Sequence, residues 1–220
     1  MTLPLARPDD AVDLGEGAWY LHRAGFVSPF ETAALLADLQ ATLPLRVETL
    51  RILGREVPTP RLTAWMGDPG CAYRYSGRTF EPAPFTPALL DLRARLFTLL
   101  GADFNTVLAN LYRDGRDGMG WHADDEPELG PAAPHDVLIA SVSLGATRRF
   151  TLRHRRQPTR RVLLLADGDL LVMGGSMQRR WQHAVPKTAV PSGPRLNLTF
   201  RIRRRDPGDS PDGVAMQPSA

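Results

Sequence analysis

With 220 residues, 43% of them hydrophobic and 23% charged, the chain has the composition of a globular protein able to bury a sizeable core. Its one cysteine, Cys71, excludes an internal disulfide and any multi-cysteine zinc or iron–sulfur site, so a metal would have to be held by nitrogen and oxygen. The net charge is +3, and residues 1–205 carry +6 because Asp206, Asp209 and Asp212 stand in a last stretch without basic residues; this excess is compatible with a phosphate-bearing partner. Of 27 basic residues only Lys187 is lysine, a bias that genomic base composition explains more readily than selection for reading bases. The longest apolar runs, such as residues 162–166, fall far short of the roughly 18 residues a membrane span needs, and the N-terminus lacks a basic-then-apolar leader, so the expectation is a cytoplasmic protein.

Residues 1–17 show no sustained period and read as a loosely ordered lead-in, followed by a short strand at 18–22. Ser28-Pro-Phe-Glu31 supplies an N-cap, a proline at the first helical position and a glutamate three residues on. A helix to about Leu43 follows, with Phe30, Ala34, Leu35, Leu36 and Leu39 as its apolar stripe. Residues 46–66 read as strand, turn, strand, with Ile52 and Leu53 at the tip, either packed down or used as a probe. Residues 67–85 are rich in glycine, proline and aromatics and read as a recognition loop. Thr86 caps a second helix that stops at Gly101. Beyond it come about eight short strand-like runs, at 104–113, 119–122, 137–144, 147–154, 160–165, 169–173, 180–185 and 195–203. This order predicts an α+β protein: a sandwich or jelly roll with the helices on one face. The predicted division is 1–103 for helices and hairpin, 104–204 for the jelly-roll core, and 205–220 for a disordered tail.

The stretch from Asn110 to Glu126 contains His122-Ala-Asp124. In an extended strand residues two apart point to the same side, so this imidazole and carboxylate can reach one cation together. A third ligand is wanted, and His183, 61 residues after His122, is the best candidate; taken alone it would read as a satisfied core histidine. Two histidines and a carboxylate leave other coordination positions open, the arrangement of non-haem Fe(II) oxygenases, although zinc or manganese could fill the same ligands. In Arg195-Leu-Asn-Leu-Thr-Phe-Arg-Ile202, Arg195, Asn197, Thr199 and Arg201 share one face and Leu196, Leu198, Phe200 and Ile202 the other. If the polar face lines a barrel interior it needs an anion, because an unpartnered buried charge is very costly, and a small dicarboxylate would match the guanidinium forks; the alternative is a solvated outer face. Asn110 and Tyr112 repeat the pattern, and Ser141 can add a hydroxyl.

His122-Ala-Asp124 with His183, Asn110-Leu-Tyr112, the run 139–146 and the double-arginine strand 195–201, in that order, resemble the AlkB family of Fe(II)- and 2-oxoglutarate-dependent nucleic-acid dealkylases. Residues 124–130 and 181–187 are more similar to its human DNA-repair members than to the founding bacterial enzyme. The resemblance spans residues 60–203 and implies a double-stranded β-helix (jelly roll), with iron held by His122, Asp124 and His183. Arg195 would pair with the distal carboxylate of 2-oxoglutarate, and Arg201, Asn197, Thr199, Asn110, Tyr112 and Ser141 would complete the cradle. It implies use of O2 to hydroxylate an N-methyl group, with loss of formaldehyde and formation of succinate and CO2. The substrate would be DNA carrying bases such as 1-methyladenine or 3-methylcytosine, handled by a monomer. Tyr75 matches the position of the family's stacking aromatic, and Trp65 and Tyr73 are further wall candidates for a flipped base. Asp125 and Glu126 would face a cationic base or else only keep the loop soluble. Arg61, Arg74, Arg78, Arg148, Arg149 and the cluster 153–156 are candidate phosphate contacts, each alternatively plain surface charge. The same chemistry on RNA or a protein side chain, and a non-catalytic binding module, are the rival readings.

Overall fold

The computed structural model describes residues 7–52, 55–71, 73–75, 78–125 and 137–203, without the side chains of 50–52, 55–56, 73–75 and 78–80. In chain order the elements are β1 (Val12–Gly15), β2 (Ala18–Arg23), α1 (Pro29–Thr42), β3 (Arg46–Ile52), β4 (Arg55–Gly67), β5 (Tyr73–Tyr75), β6 (Arg78–Phe80), α2 (Pro87–Leu100), β7 (Thr106–Tyr112), β8 (Met119–His122), β9 (Ile139–Gly145), β10 (Arg148–His154), β11 (Arg160–Leu165), β12 (Leu170–Gly175), α3 (Met177–Arg180), β13 (Trp181–Val185) and β14 (Arg195–Arg201). Both long helices start as their sequences dictate. Ser28 and Glu31 form a reciprocal capping box with Pro29 in the first turn of α1, and the Thr86 hydroxyl accepts from the Leu89 amide at the start of α2. Gly101 ends α2 in the left-handed region, φ 65°, where a side chain would be strained.

The strands assemble into an eight-stranded sheet, β1-β2-β12-β9-β14-β7-β4-β3, and a four-stranded sheet, β11-β10-β13-β8, with β5 and β6 as a separate pair. The ladders are antiparallel, and the two sheets face each other as the jelly roll expected from the spacing of strand-like runs. Strand β14 sits centrally between β7 and β9, so both of its edges are hydrogen-bonded, and all seven of its residues are buried. Leu196, Leu198 and Phe200 pack with Val107, Ala109, Val142 and Leu144 against Leu39 of α1 and Leu89, Leu92 and Leu96 of α2. Each such side chain contributes roughly 1.5–3 kcal/mol on burial. A second core of Tyr112, Ile139, Phe150, Leu152, Leu171, Met173 and Trp181 fills the space between the sheets. The alternation of β14 therefore directs Arg195, Asn197, Thr199 and Arg201 into that inter-sheet space.

Several expectations need correction. Phe30 is 98% exposed and Ala34 is also exposed, leaving Leu35, Leu36, Leu39 and Leu43 to meet the sheet. At 3.6 residues per turn Phe30 lies half a revolution away from Leu39. Ile202 falls beyond the end of β14 and is 37% exposed. The expected lead-in contains β1, joined to β2 by a turn with positive φ at Gly15, Glu16 and Gly17. The segment read as loop carries the short β5–β6 pair, and α3 precedes β13 unannounced. The larger sheet also runs across residue 103, with β1–β4 extending it on both sides. Residues 205–220 and Leu53 lie outside the described residues, as does the side chain of Ile52.

Candidate metal and co-substrate site

Strands β8 and β13 pair so that His122 and His183 are direct Cα partners, and Asp124 follows two residues past His122. One ligand atom from each of these three residues lies within 4.8 Å of the others. The His122 Nδ1 is 2.9 Å from the Gly120 carbonyl, which can only accept; Nδ1 therefore carries the proton and Nε2 keeps its lone pair for a cation. His183 is wedged between the Phe150 ring, stacked at 5.2 Å, and the His122 ring, edge-on at 4.2 Å. Its Nε2 lies 3.8 Å from Asp124 Oδ2. The Asp124 carboxylate accepts from Arg201 Nη2 at 2.6 Å, while its backbone amide donates to the Gln178 side chain at 3.0 Å.

Burial pushes the His183 imidazole down to about 3, against the pull of Asp124, so it stays neutral and able to donate a lone pair. Burial also pushes the Asp124 carboxyl up, but Arg201 and the two imidazoles outweigh it and hold it below the ordinary carboxylate range. Both shifts act in one direction. The unfolded chain binds a His183 proton below its ordinary 6.5, whereas the folded chain refuses it until about 3, so stability falls as pH falls through that window. Stability from Asp124 is present above its unfolded value of 3.8 and is lost at still lower pH. The metal-free protein is accordingly expected to show a melting temperature that drops steadily from pH 7 to pH 4, with a shallower drop in His183→Asn. A flat profile in both would contradict a buried neutral imidazole.

Beside the three ligands, Arg195 is 1% exposed and packs over Tyr112, whose ring centroid is 5.5 Å from the guanidinium carbon. Its Nη2 donates to Ser143 Oγ and Asn197 Oδ1, both at 2.9 Å, but Nε and Nη1 are buried with no hydrogen-bond partner. Burial draws its pKa down to about 10, which still leaves it charged at neutral pH. A buried cation with unpaired N–H groups is very costly, and a carboxylate accepting from Nη1 would relieve part of that cost. Asn197 orders this corner: its Oδ1 also accepts from Ser141, and its Nδ2 donates to Thr199 at 2.8 Å. Across the β14–β7 ladder Asn197 faces Asn110 and Arg195 faces Tyr112. Burial raises the Tyr112 pKa despite three nearby arginines, so the phenol remains a proton donor.

The expected residues are thus partly gathered and partly redistributed. His122, Asp124, His183, Arg195, Asn197, Asn110 and Tyr112 converge, whereas Ser141 and Thr199 act through Asn197. Arg201, expected to hold the co-substrate, donates from Nη2 to Asp124, a metal-ligand candidate. Trp65 lies on β4 with the Arg203 guanidinium 6.0 Å from its ring, and Arg61 donates from Nε to Asn110 Oδ1 at 2.7 Å. Asp125 is exposed and accepts from Arg155 at 2.7 Å. The side chains of Tyr73, Tyr75, Arg74 and Arg78, and all of Glu126, lie outside the described residues. Three contributors escaped sequence reading: Ser143, Phe150 and Gln178. Alternation could have placed Ser143 with Ser141, but Gln178 sits on a one-turn helix with no sequence signature.

Arg148 cannot be a phosphate contact. It is 3% exposed and donates to the backbone carbonyls of Asp114, Asp117 and Pro186, at 3.1, 2.8 and 2.8 Å, clamping the loop that leads into β8. Arg148→Met leaves these acceptors unmatched and is expected to destabilise the fold by about 2–4 kcal/mol, lowering the melting temperature by roughly 5–15 °C. An unchanged melting temperature with weakened nucleic-acid binding would restore the surface role.

Comparison with known proteins places this geometry in a family: residues 20–201 match the 2OG-Fe(II) oxygenase superfamily, and the chain belongs to it. It is therefore an oxygenase dependent on Fe(II), 2-oxoglutarate and O2, and the His-Asp-His cluster with the unsatisfied Arg195 fits iron and 2-oxoglutarate. Within the superfamily it is similar to alpha-ketoglutarate-dependent dioxygenase alkB homolog 3 of Mus musculus, 43% identical over 85% of this chain and 67% of the mouse protein. It is also similar to the DNA oxidative demethylase ALKBH2 of Homo sapiens, 42% identical over 69% of this chain and 60% of the human protein. The fold matches the solved structure of OsALKBH1 with a TM-score of 0.60 at 18% identity, covering 83% of this chain and 97% of that one.

Proposed function

We propose that the protein is an oxidative demethylase of alkylated bases in DNA, of the 1-methyladenine and 3-methylcytosine type, releasing formaldehyde, succinate and CO2. The observation that carries this reading is the buried, half-satisfied Arg195 beside His122, Asp124 and His183, in a chain 42% identical to a DNA oxidative demethylase. Fe(II) with 2-oxoglutarate and O2 supplies the oxidising chemistry when bound. The chain's own residues bind and orient. His122 and His183 offer neutral nitrogens, Asp124 offers a carboxylate oxygen steadied by Arg201, and Arg195 takes the distal carboxylate of the co-substrate. Tyr112 and Asn110 flank it from β7, and the two sheets exclude water from this corner. A methylated base would leave its stack to reach the metal, with the segment around Trp65 as the wall of its pocket.

Action as a monomer belongs to this reading, and no described helix is long and apolar enough to cross a membrane. The reading places the enzyme in the cytoplasm, with residues 104–204 as the catalytic core and 1–103 as helices and recognition elements. Incubating the protein with iron, 2-oxoglutarate and methylated DNA, RNA or peptide tests it by formaldehyde release. Release from DNA is expected, and release confined to peptide would overturn the substrate assignment.

A further inference from the structure

Two residues along β10 and β13 from the Leu152–His183 pair, about 7 Å from the metal-ligand candidate, His154 faces Trp181. There a cleft of about 320 Å³ opens, lined by His154, Arg155, Arg156, Arg179 and Arg180. The backbone holds these cations in place. Buried His154 accepts at Nδ1 from the Arg156 and Gln157 amides, at 3.2 and 2.9 Å, and the Arg155 amide donates to the Arg180 carbonyl at 2.8 Å, tying the turn after β10 to α3. Among the described residues two acids answer four guanidinium groups. Glu16 lies 3.2 Å from Arg180 and 3.5 Å from His154, and Asp125, the neighbour of Asp124, pairs with Arg155. Arg156 and Arg179 are exposed with no ion-pair partner among the described residues, and Arg180 Nε is buried without a hydrogen bond.

We infer that this cleft seats phosphates of the nucleic-acid strand that flank the target base, an assignment that rests on the nucleic-acid reading above. The excess of guanidinium over carboxylate groups among the described residues favours a polyanion, and guanidinium forks match phosphate oxygens in a two-pronged fit. The location favours a strand over an acidic protein. Arg155 is shared between the cleft and Asp125, and Gln178, whose carbonyl also accepts from Arg155, holds the Asp124 amide, so cleft and metal site form one framework. A strand delivering a base to the metal must carry its next phosphates along a neighbouring surface, and this cleft offers a basic one.

The test is anisotropy of an unmethylated single-stranded oligonucleotide with the full chain, without iron or co-substrate, across a range of salt. The double variant Arg156→Glu/Arg179→Glu, changed only at exposed positions, is compared with Arg95→Glu on α2 as a charge control. A loss of affinity of about tenfold or more is expected, and in Arg156→Ala/Arg179→Ala the salt slope should shrink by about 1.4, since each phosphate contact on a single strand contributes about 0.7. Arg95→Glu should change little. Wild-type affinity and slope in the double variants, or an equal loss in Arg95→Glu, would overturn the inference. So would an equal loss of polyglutamate binding, which would make the cleft a general acid-binding surface. If the wild type releases formaldehyde from methylated DNA while the double variants bind normally, only the cleft assignment falls; if it neither binds nor demethylates any nucleic acid, the proposed function falls with it.

Discussion

Asp124→Asn is expected to cut succinate formation by more than about 100-fold while leaving oligonucleotide affinity within a factor of about two or three. Loss of a partner in the outer shell of a metal site typically costs 10–100-fold, so loss of a ligand's charge should exceed that. Asparagine keeps an oxygen for the Arg201 N–H, now 2.6 Å away, so this hydrogen bond survives. Asp124→Ala removes that acceptor from a buried ion pair and is expected to cost about 3–5 kcal/mol of stability as well. Activity of Asp124→Asn near the wild-type level in defined iron would remove this carboxylate from the metal site. Parallel loss of oligonucleotide binding would point to disruption of the fold instead.

The second large effect is expected at Arg195. In Arg195→Lys the charge survives but the fork does not, and the hydrogen bonds to Ser143 and Asn197 cannot both be kept while a carboxylate is gripped. One lost charge-assisted bond is worth about 1.5–3 kcal/mol, so KM for 2-oxoglutarate should rise by roughly 10- to 150-fold. The KM for methylated nucleic acid should move far less. Equal rises in both, or none in the first, would show that Arg195 serves the fold and not the co-substrate.

Local rules made much of this molecule legible. The capping box at Ser28, the Thr86 cap and the stop at Gly101 depend on residues within one turn, and α1 and α2 occupy the expected spans. The polar–apolar alternation of residues 195–201 also carried its own conclusion, because a strand in mid-sheet must direct one set of side chains to each face. Phe30 shows the limit of such reasoning. It is expected on the apolar stripe of α1, yet helical phase turns it to solvent. Arg148 shows another, since its charge suggested a surface contact but three carbonyls sequester it. Gln178 gave no signal because its role depends on where α3 meets Asp124.

The linear order of residues determined which groups were available: one imidazole and one carboxylate two apart, a distant second imidazole, and a strand alternating arginine and leucine. Only the tertiary structure decided which of them meet. The pairing of His183 with His122 is a property of the β8–β13 ladder, and the placing of Arg201 against Asp124, while Arg195 keeps two nitrogens unpaired, is a property of where each falls on β14. The reason is range: caps and alternation are fixed within a few residues, whereas charges buried between two sheets find their partners through strand register, which is set by the whole assembly.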